Sequence, residues 1–272
     1  MLGAIIGDIV GSRFEFHNYK KKDFTFFHSN CFFTDDSLMT IAIAKAFLTS
    51  KEDYRDLEDK TVYWMQKIGR SYPYGGYGGY FAQWLMQSHP KPYHSYGNGA
   101  AMRISSVAYV AKSLKEVKEL SYKVTAVTHN HPEGIKGAEA VAVAIYMAKN
   151  GSSMSDIKDY IHTHYYPMEF TLDSIRATYK FNETCQDTVP QALMAFFESN
   201  SYEDTIRNAI SIGGDSDTVA AIAGSVAEAY YGIPQEMKDQ GLLYLDDFLR
   251  QIIFEFIDTY ILVKKEELHN EN

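Results

Sequence analysis

The chain contains, at residues 34–49, the stretch TDDSLMTIAIAKAFLT. Its first residues are polar and acidic, and the residues from Leu38 onward are apolar on nearly every face of a helix. A helix that is apolar all round is buried, whereas a surface helix keeps one polar face. We therefore predict a buried helix over 37–49 that is entered through an acidic turn.

A second acidic turn stands near the other end of the chain, at residues 213–218, with the sequence GGDSDT. It also leads into an apolar, alanine-rich helix, which we predict over 217–231. Asp215 and Asp217 are two positions apart, so they cannot share a helix face. A turn just before the helix would let both side chains point inward.

The carboxylates and hydroxyls of these two turns are hard oxygen ligands, which Mg²⁺ and Mn²⁺ prefer over the nitrogen and sulfur that Zn²⁺ selects. If the turns converge, they form a cage for two metal ions. The alternative is that Asp36 or Asp217 only caps a helix, by accepting hydrogen bonds from its free N–H groups. Closely spaced acids repel one another unless a cation or a helix dipole offsets them, and this favours the metal.

Helical periodicity dominates the rest of the chain and predicts an all-α protein. A strand signal at 23–27 is short and has no hairpin turn after it. No repeat and no flexible linker divides the sequence, so we expect residues 1–272 to form a single domain. The last predicted helix is long and amphipathic, from Leu242 to about Leu268. The other predicted helices cover 56–68, 103–113, 116–128, 134–149 and 189–198.

Composition narrows the class of protein and of partner. The 272 residues are 46% hydrophobic, which is enough to bury a substantial core. A net charge of −9 at pH 7 argues against nucleic acid as the main partner, because phosphate backbones need a basic surface. The two cysteines are too few for a disulfide scaffold, and we expect both to be reduced. We expect no membrane span and no secretory signal, and the expected location is the cytoplasm.

Two loops between the acidic turns, at 72–80 and 93–103, combine glycines with aromatic residues. Glycines let a backbone approach a ligand, and a helix N-terminus presents free N–H groups to an anion. The plainer interpretation is a pair of tight turns covered by tyrosines. Neither loop has the spacing of a Walker motif or of a dinucleotide-binding motif.

Residues 215–219, DSDTV, also spell the DxDxT motif of haloacid-dehalogenase-type phosphatases. In those enzymes the motif ends a hydrophobic strand near the start of the chain. Here the motif comes late and opens an alanine-rich helix, so the context is wrong for a phosphatase.

Five short motifs in a fixed order resemble the ADP-ribosylglycohydrolase family, which includes dinitrogenase reductase-activating glycohydrolase. They are Gly7-Asp8-x-x-Gly11-Ser12-x-x-Glu15, Thr34-Asp35-Asp36, the Gly97-Asn98-Gly99 loop that ends in Met102-Arg103, Thr128-His129, and the late Gly213-Gly214-Asp215-x-Asp217-Thr218. Together they span residues 3 to about 232. The resemblance implies an all-α orthogonal helical bundle with two Mg²⁺ or Mn²⁺ ions in a cleft. It also implies hydrolysis of the glycosidic bond that joins ADP-ribose to a modified protein side chain or to a small conjugate.

The resemblance further implies roles for residues of this chain. The metal ligands would be Thr34, Asp35, Asp36, Asp215, Asp217 and Thr218, with Asp217 bridging the ions. Glu15 would be a further ligand or the acid–base group, so that the catalytic set is Glu15, Asp35 and Asp36. Ser37 and Ser216 stand where the family often has threonine, and both keep the hydroxyl.

ADP-ribose would lie over the two glycine-rich loops, whose N–H groups would face the pyrophosphate. Tyr77 or Tyr96 would stack on adenine or ribose, and His129 would line the ribose or phosphate pocket. The implied substrate contacts are Gly75, Gly76, Tyr77, Gly78, Ser95, Tyr96, Gly97, Asn98, Gly99 and His129.

A different class of function stays open beside hydrolysis, namely a module that binds ADP-ribose without catalysis. The family includes such members, and fold alone does not establish activity. The complete set of clustered acids together with Glu15 favours the enzyme. The acceptor from which ADP-ribose is cleaved and the oligomeric state are both open.

Overall fold

The computed structural model describes residues 1–262, and helices make up nearly all of its regular structure. Within this range no strand forms, and extended backbone pairs at one antiparallel bridge, between Gly97 and Thr184. The prediction of an all-α fold is confirmed. The α-helices in chain order are α1 (Leu2–Gly11), α2 (Asp35–Thr49), α3 (Leu57–Ser71), α4 (Gly79–Met86), α5 (Ser105–Val110), α6 (Leu114–Thr125), α7 (Pro132–Lys149), α8 (Met154–His164), α9 (Leu172–Arg176), α10 (Cys185–Phe197), α11 (Tyr202–Ser211), α12 (Ser216–Tyr231), α13 (Gln235–Leu242) and α14 (Asp247–Ile257).

Helices α1 and α12 pack backbone against backbone, because α1 carries glycine at every fourth position of its contact face. A Cβ atom on Gly7 would lie 2.2 Å from the carbonyl oxygen of Ala220, and one on Gly11 would lie 2.6 Å from Cα of Asp217. Side chains at these positions would push the two helices apart. The close approach places the C-terminal end of α1 against the second acidic turn.

The helices that follow the two acidic turns form as predicted. The helix predicted over 37–49 is α2, which begins earlier, at Asp35, because Thr34 caps it by accepting from the N–H of Asp36. The helix predicted over 217–231 is α12. The helix predicted over 103–113 is shorter, as α5, since the backbone turns extended at Ala111. The other predicted helices correspond to α3, α6, α7 and α10, whereas α1, α4, α8, α9, α11 and α13 were not predicted.

The long C-terminal helix predicted over 242–268 is wrong as a continuous element. Helix α13 ends at Leu242, and α14 begins at Asp247 and ends at Ile257, before a π-helical turn over Asp258–Leu262. The break arises because the carboxylate of Asp246 accepts a hydrogen bond from the N–H of Leu249 at 2.9 Å and so starts a new helix. Residues 263–268 of the prediction lie outside the described residues.

Nearly all of the buried hydrophobic side chains belong to one cluster that extends from α1 to α14 and includes Ile5, Trp84 and Phe256. Both cysteines are buried, and neither forms a disulfide. Among the helices of residues 1–262, none has the length and apolarity that a membrane crossing requires.

Candidate active site

The two acidic turns meet in space at the N-terminal ends of α2 and α12. The hydroxyl of Thr218 donates a hydrogen bond to Oδ2 of Asp36 at 3.0 Å, although the residues are 182 positions apart in sequence. Both turns open onto one cleft, which they line together with the two glycine-rich loops. Convergence of the turns, which the metal-cage hypothesis requires, is therefore present.

Two clusters of carboxylates lie where the turns meet. Carboxylate oxygens of Asp8, Asp36 and Asp217 all lie within 4.8 Å of one another, and so do oxygens of Glu15, Asp215 and Asp217. Asp217 belongs to both clusters. The carboxylate of Asp217 therefore joins the two clusters.

The acidic clusters fit a divalent cation, and two buried atoms show why. Oδ1 of Asp36 and Oδ1 of Asp217 are buried and have no hydrogen-bond partner among residues 1–262. Burial, and then repulsion from neighbouring carboxylates, raises the pKa of both side chains well above the ordinary value. Buried, unpaired carboxylate oxygens are costly, and a hard cation with oxygen ligands would satisfy them.

Asp8 is a site residue whose role the sequence motifs did not reveal. Its carboxylate accepts hydrogen bonds from the Thr34 N–H at 2.9 Å, the Thr34 hydroxyl at 2.7 Å, the Ser37 N–H at 3.1 Å and the Ser37 hydroxyl. Asp8 therefore anchors α1 to the N-terminal end of α2, where its negative charge interacts favourably with the positive end of the helix dipole. The contact also explains why position 37 needs a hydroxyl. Complete burial raises the pKa of Asp8 to about 6, against the effect of these hydrogen bonds.

The turn before Asp215 needs both of its glycines. Gly213 and Gly214 have φ angles of 72° and 79°, in the left-handed region that favours glycine. A Cβ on Gly214 would lie 2.3 Å from the ring of Tyr179. The backbone of Gly214 is instead held by Asn18, whose amide oxygen accepts from its N–H at 2.8 Å and whose amide nitrogen donates to its carbonyl at 2.9 Å.

Asn18 also holds the segment that carries Glu15. Its amide nitrogen donates to the carbonyl oxygens of Glu15 at 3.0 Å and Phe14 at 2.9 Å. One side chain therefore ties the Glu15 segment to the turn that carries Asp215. The sequence gives no sign of this link, because the two segments are nearly 200 residues apart.

Glu15 and Asp35 line the cleft beside the clusters. Burial, and then repulsion from Asp215, Asp8 and Glu183, raises the pKa of Glu15 to about 7. Burial, and then repulsion from Asp8 and Asp215, raises the pKa of Asp35 to about 8. Asp35 belongs to neither carboxylate cluster, whereas Glu15 belongs to one.

The first glycine-rich loop contributes backbone, but not its central aromatic ring, to the cleft. Gly76 and Gly78 line it, and Gly75 and Tyr77 do not. Tyr77 packs against Phe81, with ring centroids 5.7 Å apart, and its hydroxyl is buried without a partner among residues 1–262. This ring lies against the hydrophobic core rather than facing a ligand.

The second loop lines the cleft with Ser95 and Gly97–Gly99. Asn98 holds this loop in place at both its backbone and its side chain. Its backbone N–H donates to the carbonyl oxygen of Glu183 at 2.7 Å, and its side-chain amide nitrogen donates to Oδ2 of Asp215 at 2.7 Å. Tyr96 is 46% exposed and is not part of the lining, and its ring centroid lies 5.1 Å from that of His131. His129 lines the cleft and is buried.

Several further residues line the cleft that the sequence did not assign to the site: Gly79, Tyr80, Phe81, Tyr93, Met102, Arg103, Phe181 and Glu183. The exposed ring of Phe181 stacks on that of Phe16 at 6.2 Å, and Tyr80 stacks on Tyr93 at 6.2 Å. Two of these residues could have been assigned to the site from the sequence, because Tyr80 ends the first glycine-rich loop and Arg103 ends the second. Phe181 and Glu183 belong to no recognisable motif, so the tertiary structure alone identifies them.

Comparison with known proteins identifies the family to which the chain belongs. The sequence model of the ADP-ribosylglycohydrolase family matches residues 1–267. ADP-ribosylhydrolase ARH3 of Mus musculus is 25% identical, over 86% of this chain and 83% of its own length. ADP-ribosylarginine hydrolase Tri1 of Pseudomonas putida (strain GB-1) is 26% identical, over 86% of this chain and 70% of its own. A solved structure described as an ADP-ribosylglycohydrolase-related protein complex has the same fold, with a TM-score of 0.65 at 21% identity and coverage of 96% of this chain and 97% of that one. The resemblance inferred from the five motifs is confirmed, and the chain belongs to the ADP-ribosylglycohydrolase family.

Proposed function

We propose that this protein hydrolyses the glycosidic bond that links ADP-ribose to a modified protein side chain or to a small conjugate, and releases ADP-ribose. The observation that carries the proposal is Asp217, a buried carboxylate shared by two acidic clusters that open onto one cleft. The names of the relatives, an ADP-ribosylhydrolase and an ADP-ribosylarginine hydrolase, support the same reaction class. We further propose that residues 1–272 form one domain and that the protein is located in the cytoplasm.

The proposed cofactor is a pair of Mg²⁺ or Mn²⁺ ions held by oxygen ligands. When bound, such ions supply Lewis-acid polarisation of sugar hydroxyls and of water. Asp8 completes one of the two clusters as a negative charge beside the ion, while both of its oxygens accept hydrogen bonds from the N-terminal end of α2. The residues that would hold the ions are Glu15, Thr34, Asp35, Asp36, Asp215, Asp217 and Thr218.

Glu15 is the residue that we propose to carry the proton. In the reaction the bond from ribose C1″ to the leaving nitrogen or oxygen breaks, and a bond from C1″ to the oxygen of water forms. One proton leaves the water, and one joins the leaving atom. Glu15 lines the cleft at the edge of the acidic clusters, and a carboxyl group placed there can both accept a proton from water and deliver one to the leaving atom. Asp35 and Asp36 are the alternative acid–base groups.

The substrate would lie along the two glycine-rich loops. We propose that the backbone of Gly76, Gly78 and Gly99 lies against the pyrophosphate, since these glycines line the cleft. The N–H groups of Gly97 and Asn98 donate within the protein, to the Ser95 hydroxyl and the Glu183 carbonyl oxygen, and hold the second loop in shape. For stacking on adenine or ribose we propose Tyr96 at the rim or Phe181 in the lining, because the ring of Tyr77 packs inward.

The test is release of ADP-ribose from arginine-linked and serine-linked ADP-ribosyl peptides. We expect release from at least one peptide in Mg²⁺ or Mn²⁺, background release in excess EDTA, and recovery when the metal is restored. Glu15→Gln is expected to keep ADP-ribose binding and to lose release. The rival function predicts a different pattern: tight ADP-ribose binding by the wild type with no release from either peptide under any metal condition.

Asn18 offers a sharper test of the site's architecture. We expect Asn18→Ala to lower the rate of ADP-ribose release about tenfold, equivalent to about 1.4 kcal/mol, because Glu15 is no longer tied to the turn of Asp215. The melting temperature should fall by only a few degrees. Asn200→Ala, at an exposed asparagine far along the chain, is the matched control and should leave the rate unchanged. A normal rate in Asn18→Ala would show that this link does not position Glu15.

A further inference from the structure

His129 lies beneath the Gly97–Gly99 loop in a small buried network of polar groups. Its Nδ1 is 2.7 Å from the hydroxyl oxygen of Thr128 and 3.4 Å from Nη2 of Arg103. Nη2 of Arg103 also donates to the hydroxyl oxygen of Thr128 at 2.6 Å. Thr128 and Arg103 are almost completely buried, and His129 is 5% exposed.

The donors and acceptors of this network determine which ring nitrogen of His129 carries the hydrogen. Arg103 can only donate, so Thr128 accepts from it and still has one hydroxyl proton to place. Among residues 1–262, Nδ1 of His129 is the acceptor within reach of that proton. A proton on Nδ1 would leave the Thr128 hydroxyl proton without an acceptor and would face the N–H of Arg103. Nδ1 therefore accepts, and the hydrogen is on Nε2.

The same neighbours keep the imidazole uncharged. Burial, and then the nearby guanidinium of Arg103, lowers the pKa of His129 well below the ordinary value. The ring is thus a neutral donor at physiological pH, with one orientation and one tautomer.

Nε2 of His129 lies close to the two glycines of the loop, which have no side chains to cover it. A Cβ atom would lie 3.4 Å from Nε2 if built on Gly99, and 3.6 Å if built on Gly97. Within the described chain no hydrogen bond to Nε2 is formed, and His129 lines the cleft. The donor is therefore available to a ligand that lies over the loop.

We propose that Arg103 and Thr128 are positioning residues that lock His129 as a neutral Nε2–H donor for an acceptor oxygen of the bound substrate. The proposal rests on the proposed function for the identity of that ligand, in which the oxygen belongs to the pyrophosphate of ADP-ribose. A neutral donor suits this place, because its hydrogen bond does not depend on pH near neutrality.

The first arm of the test needs no ligand. Two-dimensional ¹H–¹⁵N NMR of the full chain, with ¹⁵N-labelled histidine, reports which ring nitrogen is protonated. We expect His129 to show an unprotonated Nδ1 and a protonated Nε2 across pH 6 to 8. A protonated Nδ1 or an imidazolium form would overturn the proposal whatever the protein binds.

The second arm measures ADP-ribose binding by calorimetry in three proteins. Thr128→Val removes the hydroxyl and should weaken binding about tenfold or more, as expected for a misplaced hydrogen bond to a charged group. Thr128→Ser keeps the hydroxyl and should stay within about twofold of the wild type. Equal weakening in both variants would show that Thr128 acts by packing and would overturn its positioning role. If the wild type binds no ADP-ribose, the proposed function fails, and the NMR arm still decides the tautomer.

Discussion

Asp217→Asn is expected to reduce the rate of ADP-ribose release about a thousandfold or more, because it neutralises the one carboxylate shared by both acidic clusters. The loss corresponds to about 4 kcal/mol, in the range of the several kcal/mol that metal-ion catalysis supplies. Steady-state kinetics on the best peptide substrate, with saturating Mg²⁺ or Mn²⁺, measures it. Raising the metal concentration should not restore the rate, since a shared ligand is missing from both positions.

The same substitution should stabilise the protein when no metal is present. Neighbouring carboxylates and burial raise the pKa of Asp217 well above the ordinary value, so its charge opposes folding near neutral pH. Asparagine removes that charge, and its side chain has almost the same shape as that of aspartate. We expect a higher melting temperature in EDTA together with a smaller increase on adding metal. Opposite signs for activity and stability are a common trade-off at functional sites.

The matched control is Asp239→Asn, which makes the same chemical change at an exposed position on α13. It should alter neither the rate nor the response to metal. A variant Asp217→Asn that retains full hydrolysis, or that melts lower than the wild type in EDTA, would contradict the assignment of Asp217 as a shared metal ligand.

The second large effect is on stability as a function of pH and metal. The folded protein raises the pKa of Asp8 to about 6, of Glu15 to about 7 and of Asp35 to about 8, in each case mainly through burial. A raised carboxyl pKa means that the folded state holds protons more tightly than the unfolded chain does. The resulting stabilisation is complete below the ordinary carboxyl pKa of about 4 and is lost as the pH rises through 6 to 8.

We therefore expect the metal-free protein to melt at a lower temperature at pH 8 than at pH 5. One pKa unit corresponds to about 1.4 kcal/mol, and about 1 kcal/mol shifts the melting temperature of a protein of this size by roughly 2–4 °C. A decrease of about 5 °C or more between these pH values is the expected result. Calorimetry in EDTA measures it.

Divalent metal should reverse the trend, because it would replace the protons on the proposed ligands Glu15 and Asp35 and would be attracted by the charge of Asp8. At a metal concentration about a hundredfold above its dissociation constant, the folded state gains about 2.7 kcal/mol. The gain should be largest at pH 8, where the carboxylates are charged, and small at pH 5. A melting temperature that is flat between pH 5 and pH 8 in EDTA, or that rises equally with metal at both, would show that the acidic clusters are not the metal site.

Much of the candidate site was predictable because each acidic turn is recognisable from a few consecutive residues. Thr34–Asp36 and Asp215–Thr218 combine oxygen ligands with the start of an apolar helix, and both are found at helix N-termini in one cleft. The two loops were recognisable from their glycines, which contribute backbone to the lining as expected. Aromatic rings were less predictable. Tyr77 has the same sequence surroundings as a ligand-stacking residue, yet it packs against Phe81, because the direction of a side chain from a loop depends on its neighbours in space.

In the C-terminal region too, the sequence predicted helical structure, but only the three-dimensional packing decided where one helix ends and the next begins. Apolar spacing from Leu242 onward is continuous, but Asp246 interrupts the helix by capping a new one. An acid in an amphipathic pattern is compatible with either a polar face or a cap. Packing against the rest of the chain decides between them.

By itself, the amino-acid sequence determined the helical class, the family and the oxygen chemistry of the two acidic turns, because periodicity, capping and ligand type are properties of short segments. The family resemblance already implied that Asp217 bridges two ions. Only the tertiary structure decided which carboxylates surround Asp217, that Asp8 anchors α2 and that Asn18 joins Glu15 to Gly214. These arrangements depend on how closely distant backbones approach. That approach is set by the glycine face of α1 against α12, which places the C-terminal end of α1 beside the second acidic turn.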